Sequence, residues 1–73
     1  MNISVGQKLY YVDIRGNVYT YVITDVKEQG VVVAWEEDPS ITTVFSHREV
    51  KKLIEKCATL EDAKREAERR RAV

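Results

Sequence analysis

Between residues 7 and 45 the chain is written in four short runs of β-branched and aromatic residues, each halted by turn formers. The first, QKLYYVDIR, stops at Arg15-Gly16-Asn17, where glycine and asparagine tolerate a positive φ. VYTYVITDVKE follows. Its alternation predicts Val18, Thr20, Val22, Thr24 and Val26 on one face, with Tyr19, Tyr21 and Ile23 on the other. Gln29-Gly30 marks the second turn. GVVVAWEE is the third run, and Asp38-Pro39-Ser40 is expected to break it, since proline lacks the N–H that a ladder needs. ITTVF is the fourth. Short turns join only antiparallel neighbours, so the pattern predicts an antiparallel sheet of four or five strands. A meander this small has an apolar face to hide and must curl or be covered.

The cover is written next. Ser46 and Glu49 fit a capping box, in which the serine oxygen accepts from the Glu49 N–H and the carboxylate accepts from the Ser46 N–H. Val50, Leu53, Ile54 and Cys57 then recur at i, i+3, i+4 and i+7, one stripe of a helix over residues 46–57. Burying each of Val50, Leu53 and Ile54 contributes ~1.5–3 kcal/mol. In the stretch that follows, Thr59 and Asp62 suit a second cap. Glu61 with Arg65 and Glu66 with Arg70 are i,i+4 pairs, and Arg69, Arg70 and Arg71 suit a helix C-terminus. The apolar content there is only Leu60, Ala63, Ala67 and Ala72, too little to hold a helix that is marginal in water. The expectation is a mostly-β (β+α) unit over residues 1–57. Residues 58–73 then form a charged, frayed helical or mobile C-terminal extension, and deleting residues 59–73 is expected to leave the fold intact.

A 73-residue chain buries only ~60% of the surface it exposes when unfolded, so every large side chain is in demand for the core. One cysteine allows neither an internal disulfide nor a cysteine-rich zinc site. With no basic-then-apolar start and no apolar run near the ~20 residues that span a bilayer, a cytoplasmic protein is expected, with no membrane partner. Net charge is zero but unevenly placed. Residues 1–46 carry three basic side chains against six acidic, and residues 47–73 carry nine against six. The two halves thus present opposite fields of −3 and +3.

Chemistry has little to work with. Cys57 lies on the apolar stripe, and His47 is a helix length away, roughly 15 Å at ~1.5 Å per residue. Glu36, Glu37 and Asp38 lack the alternation and glycine of a calcium loop, and the three glycines are scattered. The expectation is a protein that is not an enzyme, with no cofactor, no metal and no small-molecule substrate. Tyr10, Tyr11, Tyr19 and Tyr21 offer stacking faces, but the strand region is acidic, so nucleic acid is expected only as an accessory contact of the basic tail. Protein binding remains. An open sheet edge accepts an extended strand, and the acidic patch of Asp25, Glu28, Glu36, Glu37 and Asp38 steers a basic segment. Trp35 ends the third strand beside that patch. Most of the indole is expected to pack against Tyr and Val neighbours, with one edge left at the surface. The expected partner-binding residues are Trp35, Glu36, Glu37, Asp38, Tyr19, Tyr21, Arg69, Arg70 and Arg71.

VGQKLYYV, GVVVAWEED and VFSHREV resemble the layout of small SH3-like barrels of phage and bacterial type. In modules of that kind a pair such as Val33-x-Trp35 precedes acidic residues at a tight turn, here Glu36 and Glu37. A last strand ending in phenylalanine, here Phe45, leads into a helix bearing Glu49. The resemblance covers residues 1–57 and implies an SH3-like barrel. The strand-then-helix order with its basic tail is also similar to small phage regulators of host transcription. That similarity implies a non-enzymatic protein in the host cytoplasm that docks on the β′ subunit of RNA polymerase, inhibits promoter use and promotes antitermination. The alternatives are a small nucleic-acid-binding barrel and a structural accessory subunit of a larger assembly.

Overall fold

The structure, a computed structural model, describes residues 3–72. It contains β1 (Lys8–Val12), β2 (Val18–Lys27), β3 (Gly30–Trp35), β4 (Asp38–Phe45), α1 (His47–Lys56) and α2 (Leu60–Arg71). The strands make one antiparallel sheet in chain order, so β1 and β4 are its two edges.

Register explains three departures from the sequence pattern. Ile23 faces Val33, but the next pair is Asp25 with Val32, so Thr24 is an extra residue in β2. This bulge moves Val26 opposite Val31, off the face that strict alternation assigns it. Lys27 pairs with Gly30, so the second turn is Glu28-Gln29 and Gly30 begins β3. A Cβ at Gly30 would lie 2.8 Å from Val44 Cγ1 and 3.1 Å from the Phe45 carbonyl oxygen. Its glycine therefore answers the closeness of β4 and not a turn conformation. Trp35 pairs with Asp38, which makes Glu36-Glu37 the third turn. Asp38-Pro39-Ser40, expected to break the sheet, instead opens β4. Proline is tolerated there because β4 is an edge, and the register shift before Thr42 takes it out of the ladder.

The main core is Leu9, Ile23, Val31 and Val33 from the sheet, sealed by Val50 from α1. Ile3, Tyr21, Phe45 and Ile54 pack around it, with Tyr21 and Phe45 edge to face at 5.4 Å and 86°. The capping box is present: Glu49 N–H donates to Ser46 Oγ at 3.1 Å, and Ser46 N–H donates to Glu49 Oε1 at 3.2 Å. Cys57 is the C-cap residue, its N–H donating to the Leu53 carbonyl at 2.8 Å. Its side chain leaves the α1 stripe for a second cluster.

That second cluster corrects the expected extension. Residues 60–71 form a helix whose Ala63 and Ala67 are buried with Val12 and Cys57, beside Tyr10 and Val18. Asp62 N–H donates to Thr59 Oγ1 at 3.2 Å, as the cap predicts. Arg65 pairs with Asp62 at 2.6 Å in place of Glu61, and Glu66 meets Arg69 at 2.9 Å and Arg70 at 3.4 Å. Arg70 Nη1 donates to the Asp13 carbonyl at 3.2 Å, and Arg71 Nη2 to the Gly16 carbonyl at 2.8 Å. The physical reason is closeness rather than apolar area. Alanine presents only a methyl group, and at Gly16 a Cβ would lie 2.7 Å from Arg71 Cγ and 2.8 Å from the Ala67 carbonyl oxygen.

Gly16 and Gly6 both have positive φ, at 84° and 92°, but nothing lies within 4 Å of a Cβ at Gly6. Gly6→Ala should therefore cost about 1–2 kcal/mol of backbone strain. Gly16→Ala should cost a further ~1–3 kcal/mol because α2 must move. Denaturant unfolding ranks the two, and equal losses would mean that α2 does not press on Gly16. Deleting residues 59–73 should likewise lower the unfolding midpoint, because Val12 and Cys57 then lose their cover.

Candidate protein-binding cleft

The site is assembled from the β3–β4 turn, the start of β2 and one face of α2. Trp35 pairs with Tyr21 across the sheet, and Glu36 N–H donates to the Thr20 carbonyl at 3.0 Å, fixing the turn against β2. The Glu36 carboxylate meets Lys8 Nζ at 2.8 Å. These contacts hold the turn beside α2 and leave an open cleft of about 790 Å³ between them. Tyr19, Trp35, Glu36 and Glu37 line one wall, and Leu60, Lys64, Glu68 and Arg71 line the other. The indole is half-buried, as expected for a residue that packs and still shows an edge.

Tyr19 is positioned by Asp13, which organises the whole β1–β2 loop. Asp13 Oδ1 accepts from the backbone N–H of Asn17 at 2.8 Å and of Arg15 at 2.9 Å. Its Oδ2 accepts from Asn17 Nδ2 at 3.0 Å and from the Tyr19 hydroxyl at 3.2 Å. These bonds, the Asn17 N–H foremost, stabilise the carboxylate and hold Asp13 below its ordinary range, while the same Asp13 contact raises Tyr19. Lys8 is raised by its hydrogen bond to Glu36.

Five of the nine expected contact residues meet in this cleft: Trp35, Glu36, Glu37, Tyr19 and Arg71. The other four are elsewhere. Tyr21 is packed against Phe45, and Asp38 Oδ1 accepts from the N–H and hydroxyl of Ser40 at 3.2 and 2.6 Å. Arg69 pairs with Glu66, and Arg70 reaches a smaller apolar cleft of about 220 Å³ between the helices. Arg69 and Arg70 both meet Glu66, Arg70 and Arg71 both reach carbonyls of the β1–β2 loop, and only Arg71 lines the cleft. Sequence reasoning missed Leu60, Lys64 and Glu68. Their spacing with Arg71, at i, i+4, i+8 and i+11, marks one helical face and was the available signal.

Cys57 is buried, and burial together with the Glu66 and Asp62 carboxylates pushes its thiol up. Among the described residues no three His, Cys, Asp or Glu side chains form a group that could hold a metal ion. No helix among them is long and apolar enough to cross a membrane. Comparison with protein-family models, curated proteins and solved structures yields no match.

The Asp13 geometry has a pH signature. The folded state keeps Asp13 deprotonated to a lower pH than the unfolded chain does. Its stabilisation is therefore complete above the unfolded carboxylate range and is lost as pH falls through the folded value. Thermal unfolding followed from neutral pH down to about pH 3 should show a shallower acid-side loss for Asp13→Asn than for the parent chain. Identical slopes would remove Asp13 as the source.

Proposed function

We propose that the protein is a non-catalytic protein-interaction module whose contact site is the Tyr19–Trp35 cleft. The observation that carries this reading is the meeting of Trp35, Leu60, which is 40% exposed, and charges of both signs in one open groove. Aromatic anchors framed by charge are the usual energetic centre of a protein contact. The matching occupant is an extended protein segment with an apolar side chain for Trp35 and Leu60 and a basic residue for Glu36 and Glu37.

Four strands in order, two bulges that bend β2 and β4, and a capped helix after the last strand support reading the sheet as a small SH3-like barrel. Resemblance to basic-tailed phage regulators makes the RNA polymerase β′ subunit the first partner to try, in a bacterial host cytoplasm. Nucleic acid is the weaker reading, because Arg70 and Arg71 already donate to loop carbonyls and Arg69 to Glu66.

Purified bacterial RNA polymerase, treated with nuclease, is passed over the immobilised protein and over its Glu37→Lys and Leu60→Glu variants. The parent chain should retain polymerase, and each variant should bind about tenfold more weakly or worse. Equal retention by the variants would move the contact off the cleft. A parent chain that retains no polymerase would remove that enzyme as the partner.

A further inference from the structure

We propose that β4 is a self-association edge: two copies pair β4 against β4, antiparallel, about a two-fold axis at Thr42 or Thr43, joining two sheets into one. The two edges of the sheet are treated differently. Both helices lie against β1. Among the described residues β4 has no strand beyond it, and every residue in it except Phe45 is exposed, including Ile41 at 50% and Val44 at 61%.

Proteins that keep an open edge unpaired usually place charge on it. Residues 39–45 here contain none. The proline and bulge that also discourage pairing are confined to the first half of the strand. Thr42 to Phe45 keep a regular register with β3 and offer an undistorted outer edge.

Charge at the two ends selects the occupant. Glu36, Glu37 and Asp38 stand at the start of β4, and Arg48 follows its end. Antiparallel pairing with a second copy brings the acidic end of each strand to the basic end of the other, twice. A two-fold axis normal to the sheet maps one residue onto its own counterpart, and placing it at Thr42 or Thr43 keeps it within the regular stretch. Either axis brings the Glu36-Glu37-Asp38 end of each copy toward Arg48 of the other; residues 39–41 lie outside the regular ladder, so the charges meet as opposed ends and not by counted register. Threonine pairs directly across strands are themselves favourable. Among the described residues neither Glu37 nor Arg48 has an ion pair within its own chain. The complementarity is therefore between the two ends of one strand, which fits a second copy of this chain.

Sedimentation of the full chain tests this. The mass should rise from 8.4 kDa toward twice that value as concentration increases, reversibly, as befits a contact one strand wide. Glu37→Arg and Arg48→Glu should each weaken association about tenfold, and the double variant should restore it. With buried Cys57 left in place, either Thr42→Cys or Thr43→Cys should oxidise to a covalent dimer, since facing residues lie about 4.5–5.5 Å apart at Cα. Ile14→Cys, 85% exposed and remote from β4, is the control. A chain that stays monomeric at every concentration overturns the proposal. So does a failure of both threonine positions to cross-link faster than Ile14→Cys.

Discussion

Among the described residues the strands pair only in chain order, and the rest of the molecule follows from that. Four strands in chain order leave an apolar face over Leu9, Ile23, Val31 and Val33 with no second sheet to meet it. Val50 fills that place, and the capping box fixes where α1 begins so that Val50 arrives over the core. One covered face would still leave Val12 and Val18 open. α2 meets that need by a different physical route. α1 contributes branched side chains and area, whereas α2 contributes small side chains and proximity. β1 lies against both helices, and β4 against the sheet and α1. The difference leaves one edge sheltered and the other bare.

Much of this was legible in the sequence, and where it was not the reason is specific. The strands, the capped helix and the half-buried tryptophan follow from period and residue type. The exact turns do not, because Gly30 and Pro39 each have two readings. Glycine marks a turn or a close approach, and proline breaks a strand or sits on its edge. Only knowledge of which strand is central decides between them. Counting apolar area undervalues the extension, since Ala63 and Ala67 contribute little by that measure. Their worth appears only when Gly16, 51 positions before Ala67, is known to lie beneath.

The candidate site was half legible for the same reason. Trp35, Glu36 and Glu37 are contiguous, so composition alone singles them out. Tyr19 joins them through sheet register, and Leu60, Lys64 and Glu68 only through the docking of α2. The arginine run, the most conspicuous charge feature in the chain, dissolves on folding. Arg69 and Arg70 fold onto Glu66, and Arg70 and Arg71 onto the Asp13 and Gly16 carbonyls, so its hydrogen-bonding capacity is taken up within the chain.

The fastening of α2 has a dynamic consequence. Two methyl groups and a pair of guanidinium-to-carbonyl bonds hold the helix down, while Leu9, Ile23, Val31, Val33 and Val50 are joined without it. Undocking α2 therefore leaves the main core standing, which makes it a low-energy partial opening of the native state. In that opened form one wall of the cleft is gone and the indole edge is more widely bared.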